Sequence, residues 1–379
     1  MLKLAIIGAG YLQLPLVKKA KTLGIETHCF SWEEGAVCRA EADYFYPISI
    51  TEKERILSIC EEIGINGVLT IASDLAVVTV NYIARIMSLV GNSMECARVA
   101  TNKFEMRQRF DSFGVASPKY CLFRNLESLP VDVRFPLIVK PIDRSGSLGV
   151  AKVDCVQELL SAAQNAHIYS FSMEVIVEEF IEGREISVEC ISYQGKHYLL
   201  AITDKITTSA PYFVEIAHHQ PAEISAKLQH KIEKLTFAAL DALQIENGAS
   251  HTEIKITAEE NLFVIEVGAR MGGDFIGSHL VQLSTGYDFL QGVIDVSLGK
   301  FSSPDVTNFK NNSAGVCFLS EESLYLKPII KNWKKYPEIV EIKLLNENIS
   351  PLRSSSDRSG YLIYKGEFSP FMKSKEKEK

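Results

Sequence analysis

One stretch, His251–Gly273 (HTEIKITAEENLFVIEVGARMGG), narrows the folds open to this chain more than any other. Thr252 to Thr257 alternates polar and apolar residues, Ala258–Asn261 is polar, and Leu262 to Val267 is a β-branched, aromatic-rich run. The pattern predicts a β-hairpin with a four-residue loop. Pairing Thr257 with Leu262 carries the register outward through Ile256 with Phe263, Lys255 with Val264 and Ile254 with Ile265, to Glu253 with Glu266. Two carboxylates then face each other with Cβ atoms about 4.5–5.5 Å apart, where like charges destabilise. A divalent cation between them removes the penalty, since oxygen ligands suit magnesium and one or two carboxylates plus phosphate oxygens are its usual shell. The same alternation sets His251 on the face of Glu253 and sets Gly268 and Arg270 on the face of Glu266. It turns Ile254, Ile256, Phe263 and Ile265 to the core. A solvated hairpin face with two unpaired acids is the other reading of this pattern.

Bulk properties bound the rest. A chain of 379 residues suggests two or three domains, each large enough for its own core. A hydrophobic fraction of 46% and a charged fraction of 23% are those of an ordinary globular protein. A net charge of −7 argues against nucleic acid as a partner but not against small anions in local basic pockets. The cysteines (Cys29, Cys38, Cys60, Cys96, Cys121, Cys155, Cys190 and Cys317) show no C-x-x-C spacing and read as reduced core thiols of a cytoplasmic protein. LKLAIIGAG is too short and too soon broken by glycine for a signal peptide, and no apolar run approaches the roughly 20 residues that span a bilayer. The last residues, KSKEKEK, are expected to be disordered.

In chain order, Lys3–Ile7, the turn Gly8-Ala9-Gly10, Tyr11–Leu23 and Ile25–Phe30 read as a βαβ opening. A helix at Glu52–Ile63, a strand at Gly67–Ile71 and a helix at Ala76–Leu89 continue it, which predicts a doubly wound parallel sheet. Its glycines look like part of a dinucleotide fingerprint, but Gln13 stands where the third glycine belongs, so a tight strand-to-helix turn is the favoured reading. Thr101-Asn102 caps a helix through Phe113, and a domain boundary falls near residue 100. Phe135–Lys140 is a strand ending in lysine, followed by Arg144–Gly149 (RSGSLG), a small-residue loop able to wrap N–H groups around phosphates or to serve as an ordinary hairpin loop. A strand at Val150–Val153, a helix at Val156–His167 and strands at Met173–Phe180, Glu185–Ser192 and His197–Thr203 follow. Glu178 and Glu179 point to opposite faces of their strand, one toward a pocket and one toward solvent. Ala222–Leu243 is a long amphipathic helix; after the hairpin come helices near Gly277–Ser284 and Phe289–Leu298, then strands at Asn312–Leu319, Val340–Leu345 and Tyr361–Lys365.

Taken together, FPLIVKP (135–141), RSGSLG (144–149), VEEFIEGRE (177–185) and the HTEIK…VIEVGAR pair (251–270) resemble the ATP-grasp superfamily over nearly the whole chain. The resemblance implies an α/β and α+β architecture: an N-terminal doubly wound domain at 1–100, a central ATP-grasp domain at 101–300 whose nucleotide-binding subdomain covers about 119–182, and a small C-terminal lobe at 301–379. Position by position, it implies that Lys103 and Lys140 bind nucleotide phosphates and that Ser145, Gly146, Ser147 and Gly149 form a mobile loop over them. Glu178 accepts from the adenine amino group, the backbone of Glu179 and Ile181 reads the ring edge, and Glu185 holds the ribose. Glu253 and Glu266 ligate magnesium, as two ions with manganese a substitute, and Arg270 lies by the transferred phosphate.

One position departs from the family pattern: many members carry an asparagine metal ligand two residues after the second glutamate, where this chain has Gly268. The E-x-x-A-R-x-G-G form is closer to the branch resembling L-amino-acid ligases and the large chain of carbamoyl-phosphate synthase, in which His218 and Lys205 fall near substrate and phosphate. The resemblance implies ATP-dependent joining of a carboxylate to an amine through an acyl phosphate. The partners are then small molecules, amino acids among them, with a homodimer as an open expectation. A bicarbonate-phosphorylating carboxylase, as in purine synthesis, is the second enzyme reading. A nicotinamide-dependent dehydrogenase leaves Glu253 and Glu266 unexplained, and a non-catalytic nucleotide binder has no use for both carboxylates and Arg270.

Overall fold

The computed structural model describes every residue except 126, 128, 130–132, 211, 347 and 368–379; the charged C-terminal tail lies outside the described residues. Strands β1 (Lys3–Ile7), β2 (Glu26–Ser31), β3 (Tyr44–Pro47) and β4 (Gly67–Leu69) form a parallel sheet in the order β3-β2-β1-β4. Helices α1 (Leu14–Thr22), α2 (Lys53–Ile63) and α3 (Asp74–Ile86) connect them. Leu4 and Ile6 enter one core and Ala5 and Ile7 another, which is why the strand is apolar throughout. The first of these cores is shared with Ile191, Leu200, Met271 and Val293 of the central region, so the N-terminal layer is packed onto the rest of the chain rather than tethered to it. Among the strands of this sheet, β3, half-exposed and short, is the one outside the sequence pattern.

The glycine turn after β1 is closed. Gln13 Nε2 donates to the Ile71 carbonyl at 2.7 Å, and a Cβ on Gly8 would lie 3.3 Å from the Gln13 side chain. The glycines serve a tight turn filled by glutamine, not a groove for a pyrophosphate.

Two antiparallel sheets follow. β5 (Tyr120–Phe123), β6 (Leu137–Pro141), β7 (Ala151–Val153) and β8 (Val175–Glu179) are ordered β5-β8-β6-β7 and backed by helix α6 (Val156–Tyr169), after α4 (Met94–Thr101) and α5 (Lys103–Phe113). The larger sheet contains β9 (Arg184–Tyr193), β10 (Lys196–Thr207), β11 (Glu215–Gln220), β12 (Gly248–Ile256), β13 (Leu262–Gly268), β14 (Ala314–Leu319), β15 (Ile339–Leu344) and β16 (Gly360–Lys365). Their order is β13-β12-β9-β10-β11-β14-β16-β15. The strands expected of a small C-terminal lobe therefore extend the central sheet, joined through β11, which the sequence pattern does not reveal. Helix α7 (Ala226–Ala242) and α5 cover one face of this sheet through Ile186, Val188, Ile254, Ile256, Val264 and Val267.

The expected hairpin is β12–β13, and Glu253 does pair with Glu266, but the inner register differs. Ile256 pairs with Leu262, Lys255 with Phe263 and Ile254 with Val264, and a bulge before Glu253 restores the outer register. The loop is thus one residue longer than expected and the bulge adds one residue on β13, so the two shifts cancel at the glutamates. The core assignment changes with it: Val264 and Val267 are buried, whereas Phe263 and Ile265 are only half-buried. Ile265 joins the open face, a bulge being a device that re-aims a side chain.

Gly183, between β8 and β9, fixes how the two antiparallel sheets meet. Its φ is +154°, and a Cβ there would lie 2.2 Å from the Ile256 carbonyl oxygen. Gly183→Ala is expected to destabilise the protein by at least about 2 kcal/mol through strain and displacement of β12. A urea midpoint indistinguishable from wild type would show that the chain relaxes freely there.

Candidate active site

Between the smaller antiparallel sheet and the hairpin end of the larger one lies a cleft of about 180 Å³. Lys103, Lys140, Ser145, Gly146, Ser147, Glu178, Glu179, Ile181, Glu185, Lys205, Glu253, Glu266 and Arg270 all line it, as do Arg144, Glu215 and His251. Gly149 and His218 do not line it among the described residues. Gly149 sits at φ +74° at the loop base, where a Cβ would be strained and would crowd Pro141 and Tyr169 at 3.1 Å. His218 is buried on β11, 3.2 Å from Asp274 and edge-on to Phe318.

Each acid of the opposed pair is met by cations of the chain itself. Lys103, the first residue of α5 after the Asn102 cap, donates to Glu266 at 2.9 Å and to the Arg144 carbonyl at 2.6 Å. Glu253 accepts from Lys205 at 2.6 Å and lies 3.5 Å from His251 Nε2. Lys205 also reaches Glu185 at 2.7 Å and Glu215 at 3.5 Å. Burial alone would lower the Lys205 ammonium, but these three acids outweigh it and hold it well above the usual lysine range. His251 Nδ1 is 2.5 Å from Glu189, which in turn accepts from the Gly272 amide at 3.1 Å. Burial opposes charge on His251, yet Glu189 raises the imidazole to about 9. A Cβ on Gly272 would lie 2.8 Å from both Glu189 and His251, so a larger residue there must displace one of them.

On the opposite wall Glu178, only 3% exposed, lies 2.7 Å from Lys140 and 2.9 Å from Arg107, while Glu179 is exposed. The two adjacent strand residues differ in exposure as expected, but both line the cleft. Glu178 is first the counter-ion of two buried cations, ahead of any acceptor role toward a ligand. Burial pushes the Lys140 ammonium below the usual lysine range against the pull of Glu178. Arg270 spans two layers: Nε and Nη2 each donate to Asp74, the first residue of α3, at 2.9 Å.

Arg107, Glu189, Glu215 and Asp74 have no place in the sequence reading. Two of them left a local signal: Arg107 is four residues after Lys103 on one helix face, and Glu189 follows Glu185 and Ser187 at strand spacing. Glu215 lies on the strand that was missed. Asp74 is 196 residues from its partner, and nothing near it in sequence marks it.

Glu253 and Glu266 fit a divalent ion of the magnesium type. Their oxygens are hard donors on facing positions of one cleft, each about one-quarter exposed. Among the described residues no group of three or more His, Cys, Asp or Glu side chains forms a closed cage, so the shell must be completed by a ligand or water, as magnesium sites on phosphates usually are.

Known proteins share part of this sequence and the three-sheet fold. Residues 133–278 match the family model described as ATP-grasp domain, so the chain carries an ATP-grasp domain within the α/β and α+β architecture expected. Over its full length it superposes on the L-amino acid ligase of Bacillus licheniformis with a TM-score of 0.84, covering 100% of this chain and 96% of that one at 23% identity. The N5-carboxyaminoimidazole synthetase of Staphylococcus aureus, solved with ADP, matches 99% of this chain and 95% of its own with a TM-score of 0.79 and 13% identity. In sequence, the chain is 27% identical over 245 residues to the alanine–anticapsin ligase of Bacillus subtilis strain 168, which is 58% of this chain and 51% of that protein. The match thus spans about half the length of that curated relative. No helix among the described residues is long and apolar enough to cross a membrane.

The buried Glu178 group predicts a pH effect. Burial alone would raise this carboxyl, but Arg107 and Lys140 more than reverse it and hold it below its ordinary 4.5. A group held low contributes stability that is present above its ordinary value and is lost as pH falls through and below that value. Glu178→Gln leaves two buried cations without their counter-ion and is expected to cost about 3–5 kcal/mol at neutral pH. It should also flatten the acid-side fall of the urea midpoint. Equal midpoints for wild type and variant at neutral pH would remove Glu178 from the structural account.

Proposed function

We propose that the chain is an ATP-dependent carboxylate–amine ligase, forming an amide or peptide bond through an acyl phosphate and releasing ADP and phosphate. One observation carries the reading: two opposed carboxylates share a cleft with Lys103, Lys140 and Arg270, the donor set that phosphoryl transfer depends on. The ligase names of the relatives support it, and amino acids are the substrate class they suggest.

In this reading Lys103 and Lys140 donate to phosphate oxygens, and Ser145, Gly146, Ser147 and Gly149 close over them. Pro118, Ile138, Val150, Phe180, Ile181 and Phe213 form an apolar end that suits a flat heterocycle. There the backbone of Glu179 and Ile181 reads the ring edge with Glu178 as acceptor, and Glu185 holds the ribose. Magnesium held by Glu253 and Glu266, as two ions that manganese can replace, supplies charge neutralisation on the phosphates when bound. Arg270 offers donors where charge gathers on the transferred group, and positioning supplies the remainder of the rate. Lys205 holds Glu185 and Glu253 in place. His218 carries no step in this scheme.

With magnesium, ATP, hydroxylamine as a surrogate amine and a panel of carboxylates, the cognate carboxylate is expected to yield a hydroxamate and ADP. AMP and pyrophosphate would overturn the mechanism, and ADP release that needs bicarbonate alone would transfer the chain to the carboxylase reading. Glu266→Gln is expected to abolish this turnover while thermal unfolding stays cooperative. Turnover at the wild-type rate would strip Glu266 of its metal role.

A further inference from the structure

The guanidinium of Arg270 is planar, with a side edge made by Nε and Nη2 and an end edge made by one N–H of each terminal nitrogen. Asp74 occupies the side edge with two bonds of 2.9 Å, and the Met271 carbonyl lies 3.4 Å from Nη1. Asp74 leaves the end edge free, and the long Met271 contact engages one hydrogen of Nη1 at most. Arg270 lines the cleft whereas Asp74, among the described residues, does not. The grip on the arginine therefore comes from a residue outside the cleft lining.

We propose that Asp74 is the positioning residue for Arg270, holding its side edge so that the end edge stands ready as a two-pronged donor for the terminal phosphoryl group of a nucleoside triphosphate. The inference rests on the nucleotide-binding reading above. Three observations carry it. The pair joins two layers that also share the core of Leu4, Leu69, Met271 and Val293, and α3 is held separately by Ala76, Ile83 and Ala84 in the core with Ala5 and Ile7, so its position does not rest on the pair alone. Asp74 opens α3 directly after the Ser73 cap, where a carboxylate is favoured by the helix end. At Gly268 a Cβ would lie 3.0 Å from both Arg270 Cζ and Asp74 Oδ1. The residue that the family pattern leads one to expect there, asparagine, cannot be built without displacing the pair, and glycine leaves it room.

A rival account makes Asp74 a latch that withholds Arg270 from the ligand. A latch has to compete for the edge that phosphate uses. In the proposed arrangement Asp74 takes the side edge and leaves the end edge to the phosphate, and the two accounts part in the titration below.

The test is calorimetric titration of the full chain with magnesium and either ADP or a non-hydrolysable ATP analogue, so that no turnover is required. Wild type is expected to bind the triphosphate analogue about tenfold more tightly than ADP, the size of a bond to a charged group. Asp74→Asn and Arg270→Ala should each erase most of that preference while ADP affinity stays near wild type. Gly268→Ala, which crowds the pair and keeps both charges, should do the same and stands in if Asp74→Asn does not fold. An Asp74→Asn variant with the wild-type preference, or with a larger one, overturns the inference; the larger one is the signature of a latch. A parallel fall of both affinities together with melting temperature marks a merely structural pair and also overturns it. Failure of either nucleotide to bind wild type sinks the nucleotide reading itself, and this inference with it.

Discussion

Two carboxylates set opposite each other on adjacent strands are the constraint around which the cleft is arranged. In an apolar interior Glu253 and Glu266 would repel, so every layer that approaches the hairpin end brings a cation: Lys103 from α5, Lys205 from β10 and His251 from β12 itself. Those cations need acids in turn. Lys205 collects Glu185 and Glu215 besides Glu253, and His251 leans on Glu189. Arg107 and Lys140 close around Glu178 on the facing wall. The cleft is therefore a chain of alternating charges in which no member can be deleted without stranding the next, and removing one partner of a buried pair costs more than the pair is worth.

This alternation explains why three sheets converge on one place. The layer of the parallel sheet supplies Asp74, which reaches the cleft only through Arg270, the smaller antiparallel sheet supplies Lys140 and Glu178, and the large sheet supplies Glu185, Glu215, Glu253, Glu266 and Lys205. Opposite faces of β9 show the division of labour: Ile186, Val188 and Cys190 pack beneath α7, while Glu185 lines the cleft and Glu189 holds His251. A strand with period two can serve a core and a charged cleft at once. The bulge at Ile265 adds a refinement, since it frees the Ile265 carbonyl to accept from Arg107 at 2.6 Å and so ties the hairpin to α5.

What could be read from the sequence was what local periodicity encodes. The βαβ opening, the small-residue loop, the hairpin and its facing glutamates all follow from spacing, and the glutamate pairing came out right because a longer loop and a bulge offset each other. The bulge itself has no local mark, so Phe263 and Ile265 were turned to the wrong face. β11 and α4 were missed, and the missing β11 hid the join between the C-terminal strands and the central sheet. His218 looked like a site residue in EIAHHQP, but its strand presents it to Asp274 and Phe318 instead. Gly268 was visible as a departure from the family pattern. Its reason was not, because the space is filled by Arg270 held against Asp74, which comes from another layer.

The ion pairs differ in how readily a ligand can open them, and burial decides the order. Lys140 and Glu178 are both nearly sealed, at 5% and 3% side-chain exposure, so separating them would leave two uncompensated charges in a low dielectric. Lys140 can offer a ligand only the donors that Glu178 leaves unused. Lys103 and Glu266 stand at 8% and 25%, with the acid facing the open cleft. On the proposed reading this is the pair that yields: Glu266 can exchange an ammonium for a divalent ion only if Lys103 finds another anion, and Lys103 can leave for a phosphate only if Glu266 is neutralised. Each exchange alone strands a charge, whereas the two together strand none. The arrangement of these two residues therefore favours a metal and a phosphate arriving as one unit over either arriving separately.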